Sequence, residues 1–184
     1  MQFLTDFADQ AVVLPLVVMV ALGLAVGGWR RGAIGWLVVA GATLGVVGAA
    51  KLWVFVFGAP LAMTLLLSPS GHTASAPLVY GGLAMALLPG RLWGPAVAAV
   101  AVIAIGLTRV ALGYHTAPDV WVGGGIGLAG TAAMWATLRA RPAEFRRLAT
   151  LGLVAAVLVG FHGLRLPAEG WLRAVAAVVR AGSW

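Results

Sequence analysis

Long runs of apolar residues with almost no charge inside them constrain this chain more than any other feature. They cover roughly residues 11–27, 34–56, 75–89, 92–112, 119–138 and 148–163. A helix that crosses a bilayer needs about 20 apolar residues, since each advances about 1.5 Å and the hydrocarbon is about 30 Å thick. The runs therefore predict an all-α fold: a polytopic membrane bundle of about six transmembrane helices, in one domain over 1–184. With 62% of the residues hydrophobic and 9% charged, a water-soluble fold would have to expose most of its apolar surface. The breaks fall where helices should end. Gly27 to Gly32, Pro89-Gly90-Arg91 and Arg139 to Arg147 all carry turn formers or charge.

The formal net charge of +7 raises the question of nucleic acid, but the basic residues sit in short clusters between apolar runs, the pattern of a topology signal. No nucleic-acid partner is expected; the partner is the bilayer. Arg30, Arg31, Arg91, Arg139, Arg141, Arg146 and Arg147 share one set of loops, whereas the opposite set before the tail holds Lys51 and Arg109. The positive-inside rule then puts the arginine-rich loops in the cytoplasm. The N-terminus, the segment 57–74, the turn at 113–118 and the tail fall outside, which in a bacterial inner membrane is the periplasmic face. The first ten residues hold Asp6 and Asp9 and no basic residue, unlike a cleaved signal peptide. Cysteine is absent, which excludes disulfides, thiolate catalysis and thiolate-bound metal.

Small residues at helix-packing spacing, Gly41 with Gly45 and Gly123 with Gly127, predict close helix contacts. In the tail from Pro167 to Trp184, Trp171, Leu172, Val175, Val178 and Val179 fall on one helical stripe. This predicts an amphipathic helix lying in the membrane interface.

Ionisable groups at membrane depth are costly and mark function by default. Outside the arginine clusters and the termini they reduce to Lys51, His72, Arg109, His115, Asp119 and His162. The first five are expected on one outer face. Ser68-Pro69-Ser70-Gly71-His72-Thr73 precedes the third run, where a helix N-terminus offers free N–H groups and a positive dipole suited to phosphate. His115 and Asp119 stand four residues apart, so a helix starting near Thr116 brings the carboxylate to one imidazole nitrogen and leaves the other as a nucleophile or base.

Pro69-Ser70-Gly71-His72 and Thr108-Arg109-(five residues)-His115-(three residues)-Asp119 resemble two motifs of the type-2 phosphatidic acid phosphatase (PAP2) family, PSGH and SRxxxxxHxxxD, with Thr in place of the first Ser. The resemblance covers about residues 51–119. A third family motif, KxxxxxxRP, is half present: Lys51 is followed by Gly58-Ala59-Pro60, with no arginine. The resemblance implies a PAP2-like integral membrane hydrolase that cleaves a lipid phosphomonoester or diphosphate through a phosphohistidine. His115 would be the nucleophile, Asp119 its orienting partner and His72 the acid and base, with Lys51, Ser70, the Gly71 N–H and Arg109 holding phosphate oxygens. It implies no metal and no cofactor. Arg165, Arg173 and Arg180 in the tail are candidates to replace the missing cation. A phosphotransferase with the same chemistry, and a non-catalytic lipid-binding or transport protein of the same fold, are the alternatives.

Overall fold

The computed structural model describes residues 1–58, 66–90, 92–139 and 141–182. Arg91, and the Ala59-Pro60 part of the half-kept motif, lie outside the described residues. The described chain is all-helical: α1 (Gln2–Asp6), α2 (Gln10–Val26), α3 (Arg30–Phe57), α4 (Gly71–Leu87), α5 (Trp93–Ala111), α6 (Ala117–Thr137), α7 (Arg147–Phe161) and α8 (Ala168–Ala181). A helix occupies each of the six apolar runs, and α8 occupies the tail. Three stretches, Gln2–Val26, Arg30–Phe57 and Trp93–Ala111, are long and apolar enough to cross a membrane. Large apolar side chains stand outside the bundle, with Trp121 79% and Val159 87% exposed, a surface that water would not tolerate over so wide a belt.

The centre of the bundle is α4, none of whose residues is exposed. It packs on α5 and α6, while α2 packs on α3 and α7, and α3 also meets α6 and α8. Glycine makes the closest of these approaches possible. A Cβ on Gly127 would lie 2.8 Å from the Ala74 Cα, and one on Gly123 would strike the backbone of Ser70, so α6 rests on α4 along its two expected small residues. Gly41 and Gly45 behave otherwise. Beyond their own turn of helix, no described atom lies within 4 Å of where their Cβ would be, because they face outward from α3; the expected packing contact is absent among the described residues.

Sequence-coded caps set the start of each helix near the candidate site. Ser70, in extended conformation, accepts from the Thr73 N–H through its side chain, and Thr116 and Asp119 form a reciprocal capping box at the head of α6. Asp9 caps α2 by accepting from the Ala11 N–H at 2.8 Å. Such caps contribute about 1 kcal/mol each. Here they also aim side chains. Gly113, at φ +70° after α5, turns the chain so that Tyr114 and His115 follow at once.

The arginines and the ionisable cluster lie at opposite ends of α4. Arg141 donates to the carbonyls of Ala86 and Leu88, and Arg147 donates to that of Leu87, satisfying the last turn. The other end of the same helix begins Gly71-His72.

Candidate active site

A cavity of about 660 Å³ opens at the N-terminal end of α4, among α2, α3, the α5–α6 turn and α8. Lys51, Gly71, His72, Arg109 and His115 all line it, as does Arg165 from the α7–α8 linker. Five of the seven residues singled out as site candidates therefore share one cavity wall. The remaining two, Ser70 and Asp119, stand directly behind them.

Asp119 is 1% exposed and fully engaged. Its Oδ1 accepts from the backbone N–H groups of Leu67 and Ser68 at 2.9 and 2.8 Å. Its Oδ2 accepts from the Thr116 N–H at 3.0 Å and lies 3.1 Å from His115 Nδ1. The Asp119 carbonyl further accepts from the Ser70 N–H. One residue thus ties the loop before α4 to the head of α6 and holds the imidazole. Because a carboxylate can only accept, Nδ1 carries the proton and the lone pair stays on Nε2. His115 lies one residue before the cap of α6, so the pair meets through the capping turn rather than across a helix face.

Burial pushes the His115 pKa below its ordinary value; the Asp119 hydrogen bond opposes this, and the charges of Lys51 and Arg109 add to it. Near neutral pH the ring is accordingly uncharged, the state a nucleophile needs.

Ser70 is completely buried, and its hydroxyl oxygen accepts from both the N–H and the hydroxyl of Thr73. The cap fills the acceptor positions of that hydroxyl and leaves its own O–H able to donate. The first two N–H groups of α4, on Gly71 and His72, take no partner among the described residues, so they are the ones left for an anion. A Cβ on Gly71 would lie 3.6 Å from the Lys51 Cε, which shows how near that ammonium comes to the helix end.

Lys51 donates to Ser68 Oγ at 2.8 Å and to Glu169 Oε2 at 3.1 Å. Burial pushes the Glu169 carboxyl up, but Lys51 and Arg173 outweigh it and hold the pKa down at about 2. Arg109 lies over the Tyr114 ring, 4.5 Å from its centroid, and donates to Thr5 Oγ1 at 3.4 Å. Its Nε is buried with no hydrogen-bond partner among the described residues. A guanidinium is never deprotonated in such a place, so the free N–H calls for an acceptor. Arg165 stands at the rim, paired with Asp6 at 3.3 Å. His162 lies apart from the cavity, near the Phe3 carbonyl and the Phe3 and Phe7 rings.

Sequence reasoning found Asp119 but missed the other three acids of the site. Asp9, which entered only as evidence against a signal peptide, lines the cavity with Oδ2 at 3.5 Å from His72 Nε2. The missed signal was scarcity. Of five acidic residues in the chain, Asp6, Asp9 and Glu169 line the cavity and Asp119 backs it.

The apolar part of the wall comes from Leu14, Leu44, Val47, Trp171, Leu172 and Val175. The cavity is therefore amphipathic, cationic and imidazole-bearing at the head of α4, and hydrocarbon-like between α2, α3 and α8. Comparison of the chain with protein-family models, with characterised proteins and with solved structures finds no match.

Proposed function

We propose that the protein is a membrane-embedded lipid-phosphate phosphatase of the PAP2 type, acting through a phosphohistidine on His115. One observation carries the reading: a neutral imidazole, fixed by a fully bonded buried carboxylate, presents its free Nε2 in a cavity that also holds Lys51, Arg109 and the open N–H groups of α4. Each group has a use in phosphoryl transfer. The Arg109 Nε–H, Lys51 and the Gly71 and His72 N–H groups would hold the phosphate oxygens and the charge that builds on them. His115 Nε2 would then attack phosphorus as the P–O bond to the lipid breaks, with His72 giving a proton to the departing oxygen. Water would next attack phosphorus, the P–N bond would break, and His72 would take the proton from that water. The apolar wall suits a substrate whose tails stay in hydrocarbon. Among the described residues Arg165 is the tail arginine that lines the cavity, and it is the best placed to serve for the arginine missing from the first motif.

In this reading all six apolar helices cross the membrane. The arginine-capped end of α4 faces the cytoplasm, and the cavity faces the opposite side. The chain lacks cysteine, so single substitutions test this directly. Ala62→Cys and Ala168→Cys should react with an impermeant thiol reagent in intact cells, and Arg91→Cys and Ala143→Cys should not. The reverse pattern puts the site in the cytoplasm.

The chemistry is tested by incubating the purified protein in detergent with a panel of lipid phosphates and measuring released phosphate, with and without EDTA and vanadate. Release that survives chelation, yields to vanadate and leaves an acid-labile phosphoenzyme on rapid quenching is the expected result. Release that needs added metal overturns the mechanism, and no release from any lipid phosphate overturns the function.

A further inference from the structure

His115 is held by a carboxylate four residues away, but His72 has one too, brought from the far end of the chain. Asp9 is 6% exposed, and its two oxygens are divided between two tasks. Oδ1 accepts from the backbone N–H groups of Ala11 at 2.8 Å and Leu166 at 3.0 Å. Oδ2 is left facing His72 Nε2 at 3.5 Å. The carboxylate is thereby locked to the start of α2 on one side and to the α7–α8 linker on the other. Lys51 and Arg109 are the cations that act on His72 from α3 and α5, so among the described residues Asp9 is the one acid paired with this ring.

We propose that Asp9 is the positioning residue for His72, and that the cavity contains two histidine–carboxylate pairs with separate duties. This rests on the phosphatase reading for its catalytic meaning, though not for its geometry. Facing a carboxylate, His72 must carry a proton on Nε2, which leaves Nδ1 as the nitrogen that exchanges protons with the substrate. In the first step Nδ1–H gives its proton to the lipid oxygen as the P–O bond breaks and the P–Nε2 bond to His115 forms. In the second, Nδ1 takes a proton from the attacking water as that P–N bond breaks. His72 is thus an imidazolium before the first step and again after the second, and neutral between them; Asp9 stabilises the charged form, and its own proton count does not change.

Asp9→Asn separates this role from a structural one. The two N–H groups on Oδ1 require an acceptor, so the Asn oxygen must stay there and its NH2 must take the place of Oδ2. That NH2 can only donate. His72 Nε2 must then accept, and the proton moves to Nδ1, the tautomer that cannot do the work. The helix cap and the bond to Leu166 survive the substitution.

The chain has three histidines, which makes the tautomers readable by 15N NMR of histidine-labelled protein in detergent at alkaline pH. His72→Gln and His115→Gln provide the assignments. The expected result is His72 protonated on Nε2 in the parent protein and on Nδ1 in Asp9→Asn, with His115 unchanged. Turnover of an alkyl lipid phosphate should fall about 10²-fold in Asp9→Asn, with an activated aryl phosphate affected less than about tenfold and KM unchanged. Asp9→Ser, which keeps an acceptor for the Ala11 N–H but has no second oxygen, should reproduce the kinetic loss with the fold intact. The same His72 tautomer in parent and Asp9→Asn, or equal losses on both substrates, overturns the proposal. A parent protein with the Nε2–H tautomer but no phosphatase activity sinks the phosphatase reading and leaves the pair standing; an active enzyme whose tautomer ignores Asp9 does the reverse.

Discussion

The two sides of the cavity solve one problem in different ways. On the α6 side, His115 and Asp119 are near neighbours in sequence, and the carboxylate is saturated by backbone N–H groups of Leu67, Ser68 and Thr116. On the α2 side, His72 meets an acid that belongs to another helix, at 3.5 Å rather than 3.1 Å, and that acid is shared with the linker before α8. The first pair is built into a helix cap and forms whenever α6 forms. The second exists only once α2, α4 and the tail have assembled. A nucleophile must hold one position throughout, whereas a group that gives and retakes a proton tolerates a looser partner.

This contrast is easiest to break at His115. His115→Ala should remove turnover by about 10⁴-fold or more, since covalent catalysis has no substitute for its nucleophile, while the helical content in detergent is unchanged. Persistent turnover in that variant would mean that the α6 side is not the reacting side. Because burial holds the His115 pKa below 6.5, the acid limb of kcat/KM, set by loss of neutral imidazole, should fall below that pH. An acid limb above it would remove His115 from the role.

Asp119→Ala comes next. It strips partners from three backbone N–H groups as well as from the imidazole, so the loss of stability should be about 3 kcal/mol or more, read by thermal unfolding in detergent. Asp9→Asn, which keeps its N–H bonds, should cost well under half of that. Equal destabilisation would erase the distinction between the two sides.

His72→Ala should slow an alkyl lipid phosphate by about 10²- to 10⁴-fold and an activated aryl phosphate far less, because a general acid matters most when the departing oxygen is basic. Comparable losses on both substrates would give His72 some other duty.

The smallest effect is expected at Glu169, a carboxylate that holds a cation rather than a histidine. It sits on Lys51 at 3.1 Å, where an incoming phosphate oxygen would have to displace it. Glu169→Gln should therefore lower KM and the vanadate inhibition constant by about three- to tenfold. Unchanged values would take Lys51 out of the phosphate site.

What the sequence determined by itself is what depends on neighbours in the chain. The helical runs, the caps at Ser70 and Thr116, the His115–Asp119 pair and the small residues Gly123 and Gly127 all follow from spacings of a few residues. Local geometry fixes such relations before any packing occurs. Gly41 and Gly45 have the same spacing yet face open space, because spacing names a helix face but not what covers it. Tertiary structure alone decided that Asp9 stands behind His72 and that Glu169 covers Lys51. These partners lie on helices whose relative placement comes from side-chain packing across the whole bundle. No period in a sequence encodes which of five carboxylates will meet which cation or imidazole until the helices have docked.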